Sequence, residues 1–179
     1  MVKEKNIILG VSAGIAIYKS CDIIRRIREK IGSVTVVMTK ESEELIRPVL
    51  FQSLSGNKVY SRLFEPADNW EIEHISLAKK ADLILIAPAT ANIIAKIAAG
   101  ICDDLLTCIV LATKAPVLIA PAMNENMYSN KITQDNIAKL KKLGFGFIGP
   151  QKGKLACGDL GMGCLADIET IIKEVENSL

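Results

Sequence analysis

The sequence lacks the features that would place the chain in a membrane, on nucleic acid or around a metal ion. It has no apolar run of 18 or more residues, so we expect no transmembrane helix. Its 22 basic and 20 acidic residues leave a formal charge of +2 without a dominant block, and nucleic acid is therefore not an expected partner. With a single histidine and no Cys-x-x-Cys pair, the sequence predicts no metal site.

The five cysteines are odd in number and do not suit a disulfide framework. Reduced thiols in a cytoplasmic protein are the simplest account of them. Residues 1–18 superficially resemble a signal peptide, but no cleavage site follows cleanly, and a strand leading into a helix explains them better. Half of the 179 residues are apolar, which favours a homo-oligomer that covers part of its own surface. We expect one domain, residues 1–179.

Buried strands alternate with helical patterns along the chain. Strands are predicted at 7–11, 34–38, 83–87, 117–120 and 145–148, and helices at 17–31, 41–46, 74–81, 92–99, 104–113, 130–143 and 168–175. Pro48 is expected to end the second helix, with room for another turn over 49–54. Residues 56–73 are expected to form a long loop with room for an edge strand, and 149–163 a mobile glycine-rich loop. This order predicts an α/β fold, a Rossmann-like (flavodoxin-like) three-layer sandwich with a mostly parallel sheet.

Four segments with polar or flexible residues come directly after predicted strands, where parallel sheets bind ligands. Residues 10–19 form a turn into a helix that suits an anion, although a tight turn alone explains the glycines equally well. Residues 87–92 suit either a platform for a flat polar ring or a capped helix start. Residues 121–127 combine methionines with amides, which suits a partly apolar site.

The fourth segment, residues 153–163, contains four glycines and Cys157, a thiol that can meet a substrate, although free loop cysteines without a role also occur. The cysteines at 21, 102 and 108 are expected on helices as inert packing residues. His74, at the junction of a polar loop and a helix, suits a surface or capping role at least as well as catalysis. These residues alone leave the reaction open.

In their order along the chain, these segments resemble the homo-oligomeric flavin-containing cysteine decarboxylases, and within that family the phosphopantothenoylcysteine enzymes. Residues 87–107 are similar to the family's Pro-x-Ser-Ala-Asn-Thr segment, 121–127 to its Pro-x-Met-Asn-x-x-Met motif, and 154–159 to the flap of the phosphopantothenoylcysteine enzymes. The resemblance covers essentially the whole chain. Thr90 and Ile93 replace a serine and a threonine, and 164–167 departs from the usual Arg-Met-x-Glu.

The resemblance implies FMN and a set of residues for it. The phosphate would meet Ser12, Ala13, Gly14 and Thr39, and the ring would rest near Thr90, Ala91, Asn92 and Ala122. Sites in this family form between subunits, commonly in trimers that can assemble further, and the sequence does not decide between a trimer and a dodecamer. We therefore expect a homo-oligomer and a small-molecule substrate held by the site-bearing segments.

The implied reaction converts 4′-phosphopantothenoylcysteine to 4′-phosphopantetheine in coenzyme A biosynthesis. Oxidation of the thiol creates an electron sink for loss of CO₂, and the enethiol is then reduced, so no net oxidation occurs. His74 would assist thiol activation or hold developing charge, Asn124 would bind the carboxylate, and Cys157 would donate a proton. The flap residues Lys154, Leu155 and Ala156 would contact the substrate.

Three alternatives are weaker on the same residues. Oxidative decarboxylases of peptide C-terminal cysteines lack the flap cysteine, flavin prenyltransferases do not need His74 with the Pro-Ala-Met-Asn segment, and phosphatase-regulating relatives carry long acidic extensions. Many bacterial relatives carry a fused ligase, whereas this chain stops at Leu179. We therefore expect the phosphopantothenate-cysteine ligase to be a separate protein.

Overall fold

The core of the protein is a five-stranded parallel sheet, seen in a computed structural model that describes residues 4–64 and 72–179. Its strands are β1 (Lys5–Val11), β2 (Gly32–Met38), β3 (Leu83–Ala89), β4 (Val117–Pro121) and β5 (Gly146–Phe147). They lie in the order β2-β1-β3-β4-β5, and each neighbouring pair is parallel. This is the doubly wound order of flavodoxin-like folds, which confirms the predicted fold class.

Helices cover both faces of this sheet. One face carries α1 (Ser20–Lys30), α2 (Pro48–Ser55) and α8 (Ile168–Asn177), and the other carries α3 (Glu73–Lys80), α4 (Ala91–Ala99), α5 (Leu105–Ala112) and α7 (Lys131–Lys142). Within β1, Ile7 and Leu9 belong to the first core and Ile8 to the second. Successive side chains of a strand point to opposite faces, so a strand buried on both sides is apolar throughout.

The predicted helix ends are confirmed where a cap sets them. Gly100 ends α4 in the left-handed conformation with φ of 72°. Asp104 caps α5 in a reciprocal capping box with Thr107, and Asn130 caps α7 by accepting from the N–H of Ile132.

Two short helices differ from the prediction. Pro48 does not end a helix but begins α2, because the first helical position needs no N–H donor and suits the fixed φ of proline. Residues 40–44 form a 3-10 turn instead of an α-helix. The first helix likewise opens with a 3-10 turn, Ile15–Lys19, that runs directly into α1.

The glycine-rich segment forms an antiparallel hairpin, β6 (Gln151–Lys154) and β7 (Leu160–Cys164), where the sequence predicted a loop. Its glycines permit close packing. A Cβ at Gly163 would collide with the carbonyl oxygen of Met123, and φ of 150° there also favours glycine. A further helix, α6 (Glu125–Ser129), lies between β4 and α7.

The predicted long loop between α2 and α3 is described only in part. Tyr60 pairs with Val37 at the edge of β2, with its carbonyl accepting from the N–H of Met38 at 2.7 Å, in line with the expected edge strand. Trp70 and the other residues of 65–71 lie outside the described residues. None of the helices in the described ranges has the length and apolar character needed to cross a membrane.

Candidate active site

The ends of β1 and β3 are joined by the hydroxyl of Ser12. Its Oγ donates to the carbonyl of Pro88 at 2.8 Å and accepts from the N–H of Thr90 at 3.0 Å, and the residue is 2% exposed. In the sheet, β1 has β2 on one side and β3 on the other, and the chain crosses from β1 to β2. The connections after β1 and β3 therefore run in opposite directions, and a crevice for a ligand opens between the ends of these two strands. Ser12, a predicted phosphate ligand, therefore uses its hydroxyl to fix the two strand ends beside this crevice.

The turn after Ser12 presents free backbone donors. The N–H of Gly14 donates to the carbonyl of Ser12 at 2.8 Å, and the helix opens at Ile15. The N–H groups of Ile15 and Ala16 donate no hydrogen bond to any residue in the described part of the chain. Free N–H groups at a helix start attract anions, so this turn with half-buried Ala13 fits a phosphate.

Thr39 lies next to that turn at the end of β2. Its N–H donates to the carbonyl of Val11 at 3.0 Å, and the residue is nearly buried. Its own carbonyl accepts from the hydroxyl of Ser42 at 2.6 Å. The structure thus brings together the predicted phosphate residues, because parallel strands end at one edge of the sheet.

The residues predicted to face the flavin ring lie on the opposite side of the crevice. Thr90 caps α4, with its Oγ1 accepting from the N–H of Ile93 at 3.3 Å. Ala91 is half-buried and Asn92 is exposed at the first turn of α4. Ile93, which replaces the family threonine, is buried in the core. A platform of small and polar groups therefore stands beside Gly14, whose added Cβ would lie 3.7 Å from Thr90 Cγ2.

The segment after β4 lies next to this platform. The N–H of Ala122 donates to the carbonyl of Ala89 at 3.0 Å, which holds the ends of β3 and β4 together. Asn124 caps α6, with its Oδ1 accepting from the N–H of Asn126 at 2.9 Å. Because a backbone N–H can only donate, the amide oxygen must face Asn126, and the NH₂ group faces away.

That NH₂ group contacts the predicted catalytic thiol. Asn124 Nδ2 lies 3.9 Å from Cys157 Sγ, although 33 residues separate them. Cys157 is exposed near the tip of the hairpin, where the N–H of Gly158 donates to the carbonyl of Leu155 at 2.9 Å. The structure therefore brings the predicted carboxylate-binding amide and the predicted proton donor together.

The thiol of Cys157 also donates to Asp159 Oδ2 at 3.4 Å. Sequence reasoning did not single out Asp159, although it belongs to the Ala-Cys-Gly-Asp motif. Of the other flap residues, Lys154 and Ala156 are exposed, whereas Leu155 is buried and a Cβ on Gly163 would lie 3.4 Å from its Cδ2. Leu155 thus packs beneath the hairpin, and Lys154 and Ala156 are open to a ligand.

His74 lies in the first turn of α3, half-buried. Since α3 ends just before β3 begins and packs on the sheet, its first turn lies towards the carboxyl ends of the strands. His74 makes no hydrogen bond or ion pair with any other residue of the described ranges. The structure thus does not join it to the Asn124–Cys157 pair by a direct contact.

The remaining cysteines are placed away from this pair. Burial raises the pKa of the Cys21 and Cys108 thiols above the ordinary value, in keeping with inert packing residues. Cys102, however, is exposed in the loop before α5, so its predicted helical position is wrong. Cys164 in β7 donates to the carbonyl of Lys154 at 3.4 Å.

A protein-family model described as Flavoprotein matches residues 1–179. The chain belongs to the Flavoprotein family. Within it, the chain is 46% identical over 177 residues to the probable phosphopantothenoylcysteine decarboxylase of Streptococcus mutans. That alignment covers 98% of this chain and 99% of the other protein. It is 53% identical over 159 residues to the coenzyme A biosynthesis bifunctional protein CoaBC of Vibrio vulnificus. That alignment covers 89% of this chain and 40% of the bifunctional protein. The chain thus spans about two-fifths of the length of such bifunctional members.

Solved structures extend this family likeness to the fold. A cysteine-to-serine mutant of PPC decarboxylase, complexed with pantothenoylaminoethenethiol, superposes with a TM-score of 0.86 at 31% identity and covers 98% of both chains. The FMN-dependent cysteine decarboxylase SpaF superposes with a TM-score of 0.84 at 28% identity, covering 97% of this chain and 96% of its own. The family expected from the sequence motifs is thereby confirmed.

Proposed function

We propose that this flavoprotein catalyses the FMN-dependent decarboxylation of 4′-phosphopantothenoylcysteine to 4′-phosphopantetheine in coenzyme A biosynthesis. The contact between Asn124 and Cys157 carries the proposal, because it sets a carboxylate-binding amide against a proton-donating thiol at the edge of the sheet. The relative from Streptococcus mutans, matched over 99% of its length, supports the same substrate.

The residues at the crevice fit FMN. The free N–H groups of Ile15 and Ala16 would hold the phosphate, and Thr39 would line the same end. The small side chains of Ala91 and Ala122 would leave room for a flat ring beside Thr90. When bound, FMN supplies reversible two-electron redox chemistry for the substrate thiol.

Asn124 is proposed to bind the substrate carboxylate. Its amide oxygen is engaged by the N–H of Asn126, so its NH₂ group is the side that faces Cys157. A carboxylate accepts such bonds and is thereby held in one orientation while the carbon–carbon bond breaks. Exposed Lys154 and Ala156 are proposed to contact the rest of the substrate, and buried Leu155 to shape the hairpin beneath them.

Cys157 is proposed to donate the proton that completes the enethiol reduction. A proton donor must carry its proton and lie beside the reacting carbon. The thiol donates a hydrogen bond to Asp159 Oδ2 at 3.4 Å, which orients its side chain within the hairpin. Asn124 at 3.9 Å places the same thiol beside the proposed carboxylate position.

His74 is proposed to act on the substrate thiol from a neighbouring copy of the chain. It has no polar contact with the described residues of its own chain, yet it lies towards the same edge of the sheet. Apolar side chains around the site are unusually exposed, 64% for Ile15, 60% for Tyr18 and 75% for Leu160. A homo-oligomer, of trimers that assemble further, would cover these side chains and complete the site.

The cellular location of the reaction and the source of its substrate are further parts of this proposal. Residues 1–179 would act as one decarboxylase domain in the cytoplasm, where coenzyme A precursors are made. The substrate contains an amide between phosphopantothenate and cysteine, which a ligase must form first. Because the chain matches 99% of the length of the Streptococcus mutans relative, we propose that this ligase is a separate protein. Supplying phosphopantothenate, cysteine and a nucleoside triphosphate in place of the finished substrate should then give product only when a ligase is added.

The direct test is to mix the purified protein and FMN with 4′-phosphopantothenoylcysteine and identify the products by mass spectrometry. The proposal expects CO₂ and 4′-phosphopantetheine in equal amounts. Cysteine-terminated peptides serve as a matched second substrate and should not react. Turnover of the peptides instead would point to a peptidyl-cysteine decarboxylase, and a flavin-bound protein that releases no CO₂ from either would contradict the proposal.

A further inference from the structure

The hairpin β6–β7 is joined to the segment after β4 at three points. The N–H of Met123 donates to the carbonyl of Gly163 at 3.0 Å, and Asn124 lies against Cys157. The third contact is a bond from the N–H of Met162 to Glu125 Oε1, at 3.0 Å. Two of these three contacts between described residues involve a side chain. The Asn124–Cys157 contact has a role in the proposed reaction, whereas the Met162–Glu125 bond has none.

The carboxylate of Glu125 is committed to the hairpin. It is an exposed side chain that forms no ion pair with another described residue. Opposite it stands Gly161, where an added Cβ would collide with the same carboxylate. The glycine therefore leaves the space that the carboxylate occupies. A carboxylate bond to a backbone N–H is stronger than a bond between neutral groups.

We propose that Glu125 is a positioning residue that holds the hairpin against α6, so that the thiol of Cys157 stays beside Asn124. Met162 is nearer to the hairpin tip than Gly163, so loss of the Glu125 bond frees the tip and leaves the base attached. Decarboxylation then continues, while proton donation from the displaced thiol slows. This inference rests on the proposed function.

The test compares Glu125→Ala and Glu125→Gln by measuring CO₂ and the thiol products from 4′-phosphopantothenoylcysteine. For Glu125→Ala we expect CO₂ release within about twofold of wild type and a roughly tenfold rise in the fraction of unreduced enethiol, the factor that one lost charged hydrogen bond represents. Glu125→Gln should restore most of the wild-type ratio, because its neutral amide oxygen accepts the same N–H in a weaker bond. Glu176→Ala, an exposed carboxylate change on α8, is the matched control and should leave the ratio unchanged.

A second variant disturbs the contact from the other side. Gly161→Ala places a methyl group where the carboxylate lies, and its backbone does not need the left-handed region. It should raise the enethiol fraction when Glu125 is present and have no added effect in the Glu125→Ala background. Hydrogen exchange of the Met162 amide, measured with FMN bound and no substrate, should be about tenfold faster in Glu125→Ala and unchanged in Glu176→Ala.

An unchanged product ratio together with unchanged exchange in folded Glu125→Ala would overturn the inference. If that variant does not fold, Gly161→Ala decides, and a wild-type ratio there would overturn the inference as well. A wild-type protein that releases no CO₂ would instead refute the proposed function. In that case the hydrogen exchange of the Met162 amide would still test whether Glu125 holds the hairpin. Failure of this inference and failure of the proposed function are therefore distinguishable.

Discussion

Replacing Ser12 by alanine tests whether this residue builds the cofactor crevice. The change removes the bond from Oγ to the carbonyl of Pro88 and the acceptor for the N–H of Thr90. Each bond contributes about 1 kcal/mol, and an N–H left without an acceptor adds about 1 kcal/mol or more. We therefore expect the free energy of unfolding to fall by about 2–4 kcal/mol. Because Ser12 aligns both sides of the crevice, FMN should bind roughly tenfold more weakly, equal to about 1.4 kcal/mol.

Ser20 provides a matched control for this experiment. It is equally buried, and among the described residues its Oγ makes one bond, to the carbonyl of Ala87 in β3 at 2.9 Å, so it does not align Thr90 as Ser12 does. Ser20→Ala should therefore cost about 1 kcal/mol and leave FMN affinity within about twofold. Urea unfolding of the FMN-free proteins and equilibrium titration with FMN measure the two effects. Equal losses in the two variants, or wild-type FMN affinity in Ser12→Ala, would refute the reasoning.

Three further predictions concern single residues. Cys157→Ser should still release CO₂ but stall at the enethiol with the flavin left reduced, seen by absorbance and mass spectrometry; a normal yield of 4′-phosphopantetheine would remove Cys157 from the mechanism. His74→Asn should retain FMN and lose turnover in the same assay, whereas full activity would leave the histidine a structural role. Asp167 caps α8, and its bonds from the hydroxyl and N–H of Thr170 lower the pKa of its carboxyl. A lowered pKa stabilises the fold above the carboxyl's ordinary value and loses that effect as pH falls through the folded value. Asp167→Ala should therefore cost about 1 kcal/mol at neutral pH and less in acid, by urea unfolding. Asp167→Asn should keep most of the cap without the acid loss, and a cost for Asp167→Ala that does not change with pH would contradict this account.

The parallel sheet and its helices were predictable because burial on both faces leaves a local pattern. Strands such as β3 are apolar throughout, Gly100 marks where α4 ends, and Asp104 marks where α5 begins. The exceptions have physical reasons. Pro48 is compatible with both the end and the first residue of a helix, and the preceding residues do not decide between them.

The hairpin was not predictable in the same way. In the local sequence, the glycines at 153, 161 and 163 indicate a flexible loop. In the structure, two of them leave space for groups that are distant in sequence. Gly161 faces the carboxylate of Glu125, and Gly163 faces the carbonyl of Met123. Close approach of this kind depends on the partner segment, which no local pattern reveals.

The sequence by itself determined the order of the five parallel strands and most of the helices between them, the four segments that follow strand ends, and the motifs that identify the family. Those are properties of neighbouring residues, set by periodicity, caps and chemical type. Tertiary structure alone decided that the hydroxyl of Ser12 bonds within the protein, that the amide of Asn124 faces Cys157, and that Glu125 holds the hairpin. These contacts join segments separated by 33 to 78 residues, and only the parallel sheet, by ending its strands at one edge, brings them within hydrogen-bonding distance.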